Sequence, residues 1–571
     1  MFRNLFLAAA VTVTIAGCAG SDAGEVADVV YTNGRIYTVN EAQPWAEAVA
    51  IKDGKFIVVG SQADAEAVTG DGTDVVDLGG AFAMPGLIDI HTHPSMSMSF
   101  RVFCELPGTF YDPTEEQTIE ALRVCIEEYP DDQEWFFAEG YSSPVMSEET
   151  LTREFLDELI PDRPAYIKDE SGHYGWGNSL AFERARIDAN TPDTPEGFFS
   201  RRPDGEPAGQ IFEEAMNPFE DLILPLAPDV ARLAKTKLLD QAAEKGVTAV
   251  GDAYVFERDL ADWQALKQEG ALKAHVVLYH KGNLGNAELT PVEEITGYYE
   301  TYDLPGHPGV KMSMGGAIQS YTEVMLGDGY RNGQQVEPLI PVDALAEYVR
   351  KLDAAGIQVK IHAIGNGTVR ATIDGYEPTI TARGENTLRH HIDHCTYIHP
   401  DDIVRMADLQ IPCSAWPMLN APSGYNLDQA TYVQPEIFEE SDPNRDLIDA
   451  GVWVANHTDA PQANLWPWWG MEATITRGFP GKPDIPPMGA HQAITLEETI
   501  RVHTLNAAWV LLLDDVTGSI EEGKSADMIV LNHDLFEIPA TEIHKTEVQR
   551  TIFNGKVVYD ASTDPAPTTK R

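Results

Sequence analysis

The chain holds 571 residues, 43% of them hydrophobic, with 20 Phe, 20 Tyr and 10 Trp. That excludes a largely disordered chain and leaves room for a large domain of roughly 250–400 residues beside a smaller one. Lys and Arg total 40 against 90 Asp and Glu, a formal charge of −50, so the surface repels phosphate backbones and anionic membranes and argues against a nucleic-acid partner.

Arg3 precedes a short apolar run from Leu5 to Ile15, which leads into Ala16-Gly17-Cys18. The run is too short to cross a bilayer as a mature helix and reads as a signal peptide. The small residues before Cys18 resemble a bacterial lipobox. That resemblance makes residues 1–18 a lipoprotein signal and Cys18 the lipidated residue. It implies a periplasmic or outer-membrane lipoprotein of a Gram-negative bacterium, held to the membrane only by its acyl chains. An ordinary signal peptide cleaved after Ala16 or Ala19 is the alternative. Export predicts an oxidising compartment, in which Cys104 and Cys125 are near enough in sequence to form a disulfide. Cys395 and Cys413 also remain, and no Cys-x-x-Cys pair offers a thiolate zinc site.

From Val26 to Pro85 come brief runs rich in Val, Ile and Tyr, with Asn33-Gly34 and Asp53-Gly54 where hairpin turns belong. The segment 515–560 has the same character and an Asn554-Gly555 turn. Two β-rich ends enclosing a long middle predict a small β-sandwich assembled from 26–85 and 515–560. Between them, residues 86–514 alternate apolar runs with helical stretches such as Glu115–Glu128, Asp229–Lys245, Leu260–Glu269 and Val342–Ala355. The strand candidates are "GLIDIH", "PAYIKD", "GVTAVGD", "KAHVVLYH", "GVKMSM", "IQVKIHAIG", "RHHIDHC", "IPCSAWP" and "GVWVANHTDAP". Strands alternating with helices predict a parallel α/β sheet closed into a TIM (β/α)8 barrel.

His91 and His93 follow the apolar strand of "PGLIDIHTHP". Residues two apart in a strand share a side, so both imidazoles can reach one cation. His362 ends "VKIHAIGNG", "RHHIDHC" carries His390, His391 and His394, and Asp459 ends "GVWVANHTDAP". Histidines and a carboxylate at four strand ends are costly to bury unless paired or metal-bound.

The ordered set "PGLIDIHTHP", "IHAIGNG", "HIDHC" and "HTDAP" resembles the amidohydrolase superfamily, and within it the YtcJ-like branch, amidohydrolase family 3. The likeness runs from about Val26 to Tyr559. It implies a distorted TIM barrel with a β-sandwich made by both ends, and one or two divalent ions, zinc or similar. Carried over residue by residue, the metal set is His91, His93, His362, His394 and Asp459, with Lys311 as a carboxylated bridging lysine. Asp459 becomes the general base, and His394 or His173 the group that steadies the oxyanion. Glu213 and Asn178 match substrate-side positions of the branch, and Trp416 lies just past a strand end, where a pocket aromatic belongs. Trp466, Trp468 and Trp469 are further loop aromatics. His307, His399, His457 and His503 are read as structural. The branch carries Asp-Gly shortly beyond the lysine, whereas this chain has Gly315-Gly316, which leaves the surroundings of Lys311 open.

The leading expectation is hydrolysis of a C–N bond in a small amide or N-acyl compound. Deamination or cyclic-amide opening by the same site is a second. A non-catalytic, metal-holding envelope lipoprotein is a third, opposed by Asp459, since capture alone needs no base. The oligomeric state stays open.

Overall fold

The computed structural model describes residues 26–564 except 97, 109–112, 171, 173, 195–196, 225, 284–286 and 462–464. Cys18 and His173 therefore lie outside the described residues.

Eight parallel strands form the central sheet, each paired with the next in chain order. They are Leu87–Thr92, Val247–Val255, His275–Lys281, Pro308–Ser313, Gln358–Ala363, His391–His394, Cys413–Ala415 and Val454–Asn456. Every residue of the first two strands is buried, the signature of a parallel sheet covered on both faces. Helices Val342–Ala354 and Asn366–Arg383 pack outside it through Leu345, Val349, Val369 and Ile373, against Val310, Val359 and Ile392. Among the described residues, no strand ladder joins the first and eighth strands. The ring is drawn together just beyond them, where Asp459 N donates to His91 O (3.1 Å) and His93 N donates to Ala460 O (2.6 Å). Asp89 reinforces that seam by accepting from Thr458 N at 3.1 Å and His91 N at 3.2 Å. Closure of the TIM-like barrel and placement of Asp459 are thus one event.

Two further sheets pack as a β-sandwich. The six-stranded one joins N-terminal strands Arg35–Tyr37, Trp45–Ala46 and Phe82–Pro85 to C-terminal strands Met528–Leu531, Val548–Phe553 and Lys556–Asp560. Its partner contains four strands, all from residues 29–77. Ile36, Val49, Phe56, Met528 and Ile552 meet in the core between them. Asp53-Gly54 and Asn554-Gly555 carry positive φ at both positions, as a two-residue hairpin turn requires. Asn33-Gly34 does not close a hairpin. The strands on either side of it enter different sheets, so it is a crossing point.

One strand reading is corrected. "PAYIKD" forms Ala165–Asp169, which belongs to a separate five-stranded sheet spanning Phe136–Glu213, inserted between the first and second barrel strands. It resembles a barrel strand because both of its faces are covered. Tyr166 packs with Phe182 and Phe219, while Ala165 and Ile167 pack with Phe136 and Trp176. Cys104 and Cys125 are joined by a disulfide with Cα atoms 5.4 Å apart, tying helix Glu115–Glu128 to the segment leading into this unit.

Candidate metal centre at the barrel mouth

The carboxyl ends of the barrel strands bring buried imidazoles and carboxylates together. His91 Nε2 lies 3.2 Å from His93 Nε2, and Asp459 Oδ1 lies 3.3 Å from the first and 3.0 Å from the second. One ligand atom from each of these three residues falls within 4.8 Å of the others. The His93 ring is oriented by its other nitrogen, Nδ1, 3.0 Å from Ala253 O.

The neighbouring strand ends complete a ring of aromatic and imidazole side chains. The His394 ring is 5.1 Å from His91 and 4.5 Å from His362, and Trp416 stands 5.7 Å from His394. Trp416 is fixed by donating Nε1–H to Thr458 O at 3.0 Å. His394, Cys395 and Asp459 all have positive φ. Side-chain-bearing residues held there cost about 1–3 kcal/mol each and gather at functional sites.

These residues fit a divalent cation on three grounds. Two imidazole nitrogens and a carboxylate oxygen converge within 3.3 Å of one another. His394 Nδ1 and both ring nitrogens of His457 are buried with no hydrogen-bond partner among the described residues, an arrangement that is costly unless another group completes it. The charge states also suit. Burial, with Lys311 next, holds His91 well below its usual value, so it is a neutral donor. Burial alone would raise Asp459, but the imidazoles around it hold its carboxyl well below the usual carboxylate range.

Lys311 lies on the fourth barrel strand. Its Nζ is ion-paired with Asp393 Oδ2, in a pair almost completely buried. Asp393 Oδ2 is also 3.1 Å from His91 Nδ1, and its Oδ1 is 3.6 Å from Lys360 Nζ. Lys311 thus reaches the cluster through Asp393. Burial lowers Lys311 against the pull of Asp393 and pushes Lys360 down to about 8.

His362 is likewise engaged, its Nε2 2.8 Å from Gly316 O and 3.1 Å from Glu323 Oε1. Asn178 is a helix cap. Its side chain accepts from Ala165 N and Ala181 N and donates to Ile160 O and Arg163 O, which assigns it to the scaffold of the inserted sheet rather than to substrate. Glu213 ends the strand Pro207–Glu213 of that sheet, exposed and with φ 51°. Trp468 packs in the core with Leu465 and Met471, and Trp469 packs with Met418 and Leu419. His307, His399 and His503 bond to nearby backbone groups.

His457, read as structural, packs directly against the site, its ring stacked 4.8 Å from that of His91. Its spacing of two from Asp459 repeats the His91/His93 pattern and was a usable signal. Lys360, two before His362, carried the same signal, whereas Asp393 is adjacent to His394. Glu323 carried none, because it comes from the long connection between the fourth and fifth barrel strands.

A parallel barrel with buried imidazoles and a carboxylate at its strand ends is the frame of a metal-dependent hydrolase. The chain belongs to the amidohydrolase family, whose model matches residues 74–559. It is 26% identical over 557 residues to the N-substituted formamide deformylase of Arthrobacter pascens, covering 94% of this chain and 99% of that one. It is 25% identical over 551 residues to YtcJ of Bacillus subtilis, covering 93% and 99%. The fold is similar to that of an uncharacterized metal-dependent hydrolase from Pyrococcus horikoshii, with a TM-score of 0.72 and 21% identity over 90% of this chain and 99% of that one.

Proposed function

We propose that the protein hydrolyses the C–N bond of a small amide or N-acyl compound at a divalent cation, zinc or similar, held by His91, His93 and Asp459. The observation that carries this reading is the convergence of those three residues' ligand atoms within 4.8 Å. His362 and His394 flank the same space and are assigned to complete the ligand set. The likeness to a deformylase of N-substituted formamides along 94% of the chain supports an N-acyl substrate.

When bound, the cation acidifies water and polarises the scissile carbonyl. Asp459 starts ionised, so it accepts a proton from the attacking water as the oxygen bonds to the carbonyl carbon. It then returns that proton to nitrogen as the C–N bond breaks, leaving a carboxylic acid and an amine. His394 or His173 is assigned to steady the oxyanion. Trp416 walls the pocket beside His394 and excludes water from that side. Lys311 takes a bridging role only after carboxylation, which would turn the partner of Asp393 into an anion and require Asp393 to move. Release of amine from a panel of N-formyl and N-acyl amines tests the reading. Chelator-sensitive turnover is expected, and no turnover on any of them after full zinc loading overturns it.

We also propose export as a lipoprotein, supported by the pattern ending at Cys18 and by the Cys104–Cys125 disulfide, a bond that persists in oxidising compartments. Labelling with a radioactive fatty acid, abolished by Cys18→Ala, is the expected result. Labelling that survives the substitution contradicts it.

A further inference from the structure

Glu323 is fully buried, yet it lies in a connection rather than on a strand or helix. Its carboxylate accepts from Gly365 N at 3.0 Å, Ile364 N at 3.4 Å and the Thr368 hydroxyl. Those donors belong to the end of the fifth barrel strand and the start of helix Asn366–Arg383, whose Gly367 and Thr368 amides donate to the adjacent Val324 O at 3.0 and 3.1 Å. Glu323 and Val324 together hold the helix start, and the carboxylate sits at the positive end of the helix dipole.

The same carboxylate turns to His362, with Oε1 3.1 Å from Nε2. Gly316 O lies 2.8 Å from that same ring nitrogen. Two acceptors at one imidazole nitrogen require it to carry the proton, so His362 is held as the Nε2–H tautomer and its free lone pair is on Nδ1. The backbone around the carboxylate is shaped for it. A Cβ on Gly315 would lie 2.6 Å from Glu323 Oε2 and 2.7 Å from its carboxyl carbon. Any side chain at 315 would therefore compete for the space that Glu323 fills.

We propose that Glu323 is a positioning residue for the metal centre: with Gly316 O it fixes the tautomer and orientation of His362, so that Nδ1 is the atom offered to the cation. This rests on the proposed reading of His362 as a ligand. A carboxylate that orients a ligating histidine through its second nitrogen raises its basicity, and losing it weakens metal affinity roughly 10- to 100-fold.

The test is zinc affinity of the folded protein, measured by competition with a chromophoric chelator. The variants are Glu323→Gln, Glu323→Ala, His362→Ala and the double variant Gly315→Asp with Glu323→Ala. The expected result is a fall of roughly 10- to 100-fold for both Glu323 variants, partly recovered in the double variant, where the Gly315→Asp substitution returns a carboxylate to the same space. A carboxylate with only a structural role would shift the unfolding midpoint and leave the affinity of the folded fraction unchanged. Unchanged affinity in both Glu323 variants, alongside a loss in His362→Ala, overturns the positioning role alone. Unchanged affinity in His362→Ala overturns the ligand reading on which it rests.

Discussion

Where the first and eighth barrel strands meet, His91, His93 and Asp459 present their ligand atoms to one another across a shared space. Across the mouth, on the fourth and fifth strands, Lys311 and His362 each have a carboxylate partner. Lys311 is bound to Asp393 and His362 to Glu323. Both sides are buried and both are built from strand ends, so burial alone does not separate them. What differs is the supply of counter-charge. On the first side one Asp459 oxygen stands between two imidazole nitrogens, 3.3 Å and 3.0 Å away. The second has its own carboxylates, which hold side chains in fixed orientations without needing a ligand. The difference makes the first side the primary seat of the cation and the second side the support that also presents His362 to it.

The sharpest way to break that division is Asp459→Asn. Loss of the base is expected to lower kcat roughly 10²- to 10⁴-fold with the fold intact, as judged by steady-state turnover and circular dichroism. Turnover within a few-fold of the parent would remove Asp459 from the chemistry. The next largest effect lies on the supporting side. Lys311→Met strips Asp393 of its closest partner, and breaking a fully buried pair costs about 3–5 kcal/mol of stability, readable by urea unfolding. A stability change near zero would show that Lys311 is not held as an ammonium partner. Incorporation of isotope-labelled bicarbonate at Lys311 would establish the carboxylated form instead.

A smaller effect concerns Asp252 on the second strand, which accepts from Ser95 Oγ at 2.5 Å and so braces the turn after His93. Burial pushes its carboxyl up from 3.8 to about 7. The folded state then binds this proton more tightly than the unfolded chain. Its contribution to stability is full below the unfolded value and is lost as pH rises toward about 7, at up to about 1.4 kcal/mol per pH unit. Asp252→Asn is expected to flatten unfolding free energy against pH across that window. An unchanged slope would place the titration elsewhere.

The first side of the mouth was legible in the sequence because its chemistry lies on strand ends. "DIHTH" and "NHTDAP" put donors two apart after apolar runs, and strand geometry does the rest. His457, two before Asp459, belongs to the same pattern. The sandwich was legible from β-rich ends with turn dipeptides, although Asn33-Gly34 links two sheets. The supporting side was harder. Asp393 was visible in "HHIDH", but its bond to Lys311 is a tertiary fact that spacing does not carry. Gly315-Gly316 stood out as a departure from Asp-Gly, and the space left there is filled by the Glu323 carboxylate from the same connection. "PAYIKD" misled because an inserted sheet covered on both faces has the burial of a barrel strand.

The central claim is that His91, His93 and Asp459 hold the cation on which C–N hydrolysis depends. Its most direct test is paired: bound zinc and amine release from an N-substituted formamide, measured on the parent protein and on His93→Ala. Zinc and turnover are expected to be present together in the parent, to vanish together under chelation, to return together on zinc addition, and to be lost together in His93→Ala. Full turnover by the chelated protein, or zinc bound as tightly in His93→Ala as in the parent, would contradict it.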